Sequence, residues 1–162
     1  MKVFVCNRKQ AESDLSEVTS ARNVISISTP GFPIAKLPGD WVWRLNLQFH
    51  DVIQEDCEYK DADGNDFVIF TKEMANQVIR FVELIHENRE ILIHCDAGIS
   101  RSMAMGRFVS TFTPRELVIL TPDMIDDRFS NIHVWNTLRR CWYEREELEA
   151  KGANAPETGG NE

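Results

Sequence analysis

The stretch Ile91-Leu92-Ile93-His94-Cys95-Asp96-Ala97-Gly98-Ile99-Ser100-Arg101-Ser102 decides how the rest of the chain is read. Its first three residues have the apolar character of a short buried strand. A cysteine follows at once, then a five-residue loop, then Arg101 at the mouth of a helix with apolar Met103, Ala104, Met105, Phe108 and Val109. Strand, tight loop and helix start in succession aim several backbone N–H groups at one point, the geometry that binds phosphate. Gly98 supplies a position where positive φ carries no steric penalty. Arg101 offers a planar fork to two phosphate oxygens. The same positive surroundings are expected to favour the thiolate of Cys95, the nucleophilic form, near neutral pH.

A C-x5-R spacing alone also fits a buried structural cysteine with an unrelated arginine downstream. With His94, Gly98 and Ser102 at fixed offsets, chance falls below roughly one in ten thousand at ordinary residue frequencies. The stretch resembles the H-C-x-x-G-x-x-R-S signature of the cysteine-dependent protein tyrosine phosphatases. Among them it is most similar to the compact dual-specificity-type enzymes, including small bacterial and phage versions. The resemblance implies a phosphocysteine formed on Cys95, phosphate held by Arg101 and the loop residues Asp96, Ala97, Gly98, Ile99 and Ser100, and no metal or cofactor. It also implies a structural His94 that ties down the loop backbone. Ser102 can donate its hydroxyl to the sulfur and ease its departure, or simply start the helix.

Composition narrows the setting. A length of 162 residues is expected to fold as one domain, residues 1–150, with a disordered Gly/Asn/Pro/Thr-rich tail over 151–162. No apolar run reaches the ~20 residues of a membrane span, and Met-Lys-Val-Phe-Val reads as an opening strand, not a signal peptide. Cys6, Cys57, Cys95 and Cys141 are scattered without a C-x-x-C pair, so neither zinc nor a disulfide framework is expected. A reducing cytoplasm suits such a pattern. The net charge of −8 argues against nonspecific binding to nucleic acid or anionic membrane.

Along the chain, strands are expected at 2–6, 23–28, 41–49 and 91–94, with a surface helix within 7–20 (Ala11, Leu15, Val18) and a loop at 29–39. Thr71 caps a helix with apolar face Met74, Ala75, Val78, Ile79, Val82 and Ile85, ending near Asn88. Thr113-Pro114-Arg115-Glu116 has the form of a capping box, and Thr121-Pro122-Asp123 that of a short helix start. The last helix spans 131–149, with Val134, Leu138, Cys141, Trp142 and Leu148 on one side. The sum is an α/β fold of three-layer-like α/β/α type, with a small, mostly parallel sheet of four to five strands flanked by helices. The nucleophile loop leaves the carboxyl end of a central strand, where ligands bind in such sheets. Ser130-Asn131-Ile132-His133 faintly resembles the P-N-x-G-F turn of the dual-specificity enzymes, so Asn131 is either a support of the loop or a plain helix cap.

The leaving oxygen needs a proton from a carboxylic acid on a loop that reaches the pocket. In the resembled family an aspartate follows the strand before the main helix, and Asp51 holds that place. Asp66 has the more usual spacing from the cysteine but sits near a helix start, and Asp56, Asp61 and Asp63 stay open. The acidic run 51–66 contains Asp61-Ala-Asp63-Gly64-Asn65-Asp66, but its glycine comes too early for a calcium loop and Lys72 stands where glutamate should. It reads as a solvated excursion. The loop positions Asp96, Ala97, Ile99 and Ser100 are not basic, whereas inositol-phosphate and phosphoinositide members usually add lysines there. A phosphorylated protein or peptide, phosphotyrosine first and then phosphoserine or phosphothreonine, is therefore the expected partner. RNA 5′-phosphatase activity, a catalytically silent phosphate-binding module, and redox or sulfur-transfer chemistry that recruits Cys6 are the alternatives.

Overall fold

The computed structural model describes residues 1–15, 19–53, 60, 63–121 and 130–153. Five strands, β1 (Lys2–Asn7), β2 (Asn23–Ser28), β3 (Trp43–Gln48), β4 (Ile91–Cys95) and β5 (Glu116–Ile119), form one sheet in the order β3-β2-β4-β1-β5. Every pairing is parallel. Among the described residues four helices accompany them: α1 (Arg8–Ala11), α2 (Lys72–Leu84), α3 (Arg101–Phe112) and α4 (Ile132–Ala153). The expected α/β architecture is what the chain adopts.

Strand side chains alternate between the two faces. Val3, Val5, Ile25, Ile27, Ile91, Ile93 and Cys95 enter the larger core, against α2, α3 and α4. Phe4, Cys6, Val24 and Leu92 face a smaller cluster closed by Ala11 of α1 and by Ala35 and Leu37 of the irregular 29–39 segment. Among the described residues, the second layer is thus a single turn plus loop. β4 is buried along its whole length, as a central parallel strand should be.

α3 is buried nearly all round because it lies between the sheet and α4. Gly106 sets its closest approach: a Cβ there would run into Val5 Cγ2 on β1 and stand 3.0 Å from Leu117 Cδ1 on β5. Phe112 packs 4.9 Å from Phe108 and 5.4 Å from Trp142, ring centre to ring centre, joining α3 to α4.

Several expectations are corrected. Among the described residues of the 7–20 span the helix is the four residues of α1, opened by a capping box between Asn7 and Gln10; Val18 lies outside the described residues. α2 begins as expected, with Thr71 accepting from the Met74 N–H at 3.3 Å, but stops at Leu84 short of Asn88. There the Arg115 guanidinium takes the carbonyls of Ile85, His86 and Arg89, which ends the turn. No helix starts at Thr113. Its hydroxyl donates back to Val109 O at 2.6 Å and so closes α3. The proline after it favours extended backbone at Thr113 (φ −136, ψ 159), and Glu116–Ile119 then pairs with the open edge of β1. Leu148 is 68% exposed, not on the packed side of α4. The helix start expected at Pro122 and the tail from residue 154 lie outside the described residues.

Candidate active site

β4 delivers Cys95 to the carboxyl end of the sheet, and α3 begins six residues later. Between them Gly98 adopts φ 75. A Cβ at this position would lie 2.5 Å from Asn7 N and 2.7 Å from the Cys6 carbonyl carbon, so the loop rests directly on the end of β1. That contact turns the Gly98 N–H back onto the Cys95 sulfur at 3.1 Å. Ser102 Oγ, on the first turn of α3, also lies 3.1 Å from the sulfur. An amide and a hydroxyl therefore converge on Sγ, an arrangement that stabilises negative charge there. Ala97 is exposed and Ile99 and Ser100 are half-buried.

Arg101 is 5% exposed. Its Nη1 donates to Phe49 O at 2.7 Å and its Nη2 to Asp96 Oδ2 at 2.8 Å. The guanidinium carbon stands 5.8 Å from the Phe49 ring centre. Nε is buried without a hydrogen-bond partner. A buried guanidinium N–H without an acceptor is costly, and an oxyanion is the group that would satisfy it.

The side chain of Asp96 is a feature that sequence reasoning missed. Its Oδ2 also accepts from Thr29 N–H at 3.2 Å and Thr29 Oγ1 at 2.6 Å. Arg8 Nη1 lies 3.7 Å from the other oxygen. Burial pushes this carboxyl up, but Thr29 and Arg101 together outweigh it and hold it below the usual carboxylate range. Asp96 is thus a charged counter-ion that fixes the guanidinium. Strand order was the signal that could have found it: β2 neighbours β4, which brings Thr29 beside the loop.

His94 points to the other sheet face, where its Nε2 pairs with Ser26 Oγ on β2 at 2.8 Å. Burial pushes the ring down to about 4, more than the neighbouring Asp96 carboxylate pulls it back. The ring is thus a neutral imidazole whose bond goes to the adjacent strand and not, as expected, to the loop backbone, and its Nδ1 is buried without a hydrogen-bond partner.

Asp51 is exposed, and its Oδ1 accepts from Ser100 Oγ at 2.7 Å and Asn131 Nδ2 at 2.6 Å. The structure therefore brings this aspartate onto the loop that carries Cys95. Asn131 fills both of the roles left open for it. Its Oδ1 caps α4 by accepting from Val134 N–H at 2.9 Å, and its own N–H donates to Ser100 O at 3.2 Å. Asp66 instead pairs with Lys60 at 2.8 Å, and its side chain is 90% exposed. Asp63 is exposed, while Asp56 and Asp61 lie outside the described residues.

Cys6 and Cys141 are buried free thiols. Cys6 faces the smaller core, across the sheet from Cys95. Burial, with Cys95 nearby, pushes it up to about 12, which makes it a poor redox partner. Among the described residues no group of three or more His, Cys, Asp or Glu side chains could hold a metal ion, and no helix is long and apolar enough to cross a membrane. No family model matches the chain, and no curated protein matches it.

Proposed function

We propose that this protein is a cysteine-dependent phosphomonoesterase of the compact dual-specificity type, acting on phosphotyrosine and related phosphoproteins. The observation that carries the reading is the Cys95 sulfur held at 3.1 Å by both Gly98 N–H and Ser102 Oγ, one loop away from a buried arginine with an unused Nε. In the first step Cys95 attacks phosphorus as a thiolate, and the phosphoester oxygen departs with the proton of Asp51. Arg101 and the loop amides stabilise the equatorial oxygens, where charge accumulates. In the second step water attacks the phosphocysteine and gives a proton to the Asp51 carboxylate. The sulfur leaves as a thiolate, eased by the Ser102 hydroxyl.

The surroundings favour a protein substrate over a polyanion. Phe32, Ile34, Ile53 and Ile132 are exposed apolar side chains on segments adjoining the carboxyl ends of the strands and the start of α4. Arg8, the cation beside the loop, is already engaged by Glu12 at 2.9 Å and by Asp96. Apolar side chains there suit an aryl phosphate with apolar flanks better than an inositol polyphosphate or RNA 5′ end.

The decisive measurement is hydrolysis of an aryl phosphate in the presence of a metal chelator, by wild type and Cys95→Ser. Wild type is expected to turn over and to yield a phosphocysteine on rapid acid quench; Cys95→Ser is expected to lose at least about 10³-fold in kcat yet still bind inorganic phosphate. Retained turnover in Cys95→Ser removes the phosphatase reading, and an inert wild type that binds phosphate leaves a silent binding module. A panel of phosphotyrosine and phosphoserine peptides, phosphoinositide and RNA 5′-triphosphate then ranks the substrates.

A further inference from the structure

We propose that Asn131 is the positioning residue for the acid: its amide and the Ser100 hydroxyl hold Asp51 by one oxygen, Oδ1, which leaves Oδ2 to carry the proton. This rests on the phosphatase reading above and adds to it a residue that touches neither substrate nor sulfur.

Asn131 is wholly buried, and its side chain joins the start of α4 to the 51–52 segment. Oδ1 takes the Val134 N–H of α4. One Nδ2 proton goes to Asp51 Oδ1 at 2.6 Å and the other to Val52 O at 3.1 Å. With the carbonyl side engaged by the cap and both amide protons assigned, the group has no alternative orientation of equal satisfaction. Ser100, which donates the second bond to Asp51 Oδ1 at 2.7 Å, belongs to the loop that carries Cys95 and receives the Asn131 N–H on its carbonyl. The acid, the phosphate loop and the start of α4 therefore move as one body. An exposed aspartate on a loop would otherwise sample several rotamers, of which only some reach the leaving oxygen.

The proton balance follows from the same geometry. An oxygen that accepts two short hydrogen bonds is the poorer place for a proton, so the neutral acid carries it on Oδ2. As sulfur–phosphorus bonding replaces the ester bond, that proton passes to the departing oxygen and Asp51 is left as carboxylate. In the second step water forms the new phosphorus–oxygen bond, its proton returns to Oδ2, and the thiolate is released.

The rival explanation is that Asn131 only caps α4. Asn131→Ser separates the two, because serine caps as well as asparagine but has no amide N–H for Asp51 and places no second carboxylate beside it. Each variant is assayed on two aryl phosphates, one with a good and one with a poor leaving group, together with inhibition by inorganic phosphate and thermal unfolding. For Asn131→Ser the poor-leaving-group ester is expected to slow by about 10- to 100-fold and the good one by less than about 3-fold, with phosphate inhibition unchanged. Asn131→Ala is expected to show the same selectivity with lower stability, and Ser100→Ala a weaker form of it. In an Asp51→Asn background, Asn131→Ser should cause no further loss on the poor ester. Equal slowing on both esters, or an undiminished loss in that background, overturns the positioning role. If Cys95→Ser is dead and Asp51→Asn is selective for the poor ester, such a result leaves the phosphatase reading standing and sinks this inference alone.

Discussion

Each end of the parallel sheet holds a buried arginine: Arg101 at the carboxyl end, 5% exposed, and Arg115 at the amino end, 3% exposed. They differ in what is left over. Arg115 gives Nε to Arg89 O at 3.1 Å and Nη2 to Ile85 O at 2.9 Å and His86 O at 3.1 Å. These are main-chain carbonyls at the end of α2, and none of its nitrogens is buried without a partner. Arg101 meets one carbonyl and one carboxylate and keeps an unpartnered Nε. A guanidinium consumed by carbonyls fastens the fold. One that faces a counter-ion with a donor to spare is, under the proposed function, the one that takes the anion.

That contrast can be broken by exchanging the two measurements. The largest effect is expected for Arg101→Lys, which replaces a fork by a point charge: kcat/KM on an aryl phosphate should fall by about 10²- to 10³-fold, with a stability loss within about 2 kcal/mol. Arg115→Met should do the reverse, costing about 3 kcal/mol in denaturant unfolding while turnover per folded molecule stays within about 2-fold. Similar profiles for both variants would erase the distinction.

A pH titration sharpens it next. His94, at the carboxyl end, is held near 4 against an ordinary 6.5, so the unfolded chain binds the extra proton between those values. Stability is full above about pH 6.5 and is lost as pH falls towards 4, by about 3 kcal/mol at most. His94→Gln should flatten that part of the stability profile relative to wild type; an unchanged slope would contradict the buried neutral ring. The smallest effect belongs to the amino end. Glu90 Oε2 accepts from Thr19 Oγ1, Ser20 N–H and Ser20 Oγ, and Glu90→Ala should cost about 1 kcal/mol with no change in kinetics.

Strands and the Cys95 loop were legible because their determinants are local: apolar runs, a glycine, a helix start. The position of Asp51 next to that loop followed from its place after a strand; the acid role belongs to the proposed function. β5 was not, because Thr113-Pro114-Arg115-Glu116 satisfies a helix-start pattern, and only the free edge of β1 decides otherwise. The roles of Asp96, Arg115 and Asn131 were hidden for a related reason. Their partners Thr29, Ile85 and Asp51 are far away in sequence, and no spacing rule encodes a contact that exists only once the sheet is ordered. α1 shows the converse: Ala11 and Leu15 have helical spacing, yet α1 ends after one turn.

Gly106 has a mechanical consequence. Because its bare backbone lets α3 sit directly against Val5 and Leu117, the helix has a hard stop, and its first residue is Arg101. A methyl group introduced there would act as a shim under a lever, tilting the far tip that carries the Arg101 guanidinium. If the proposed function holds, a substitution more than a full turn from Cys95 would thereby be read out as weakened phosphate affinity.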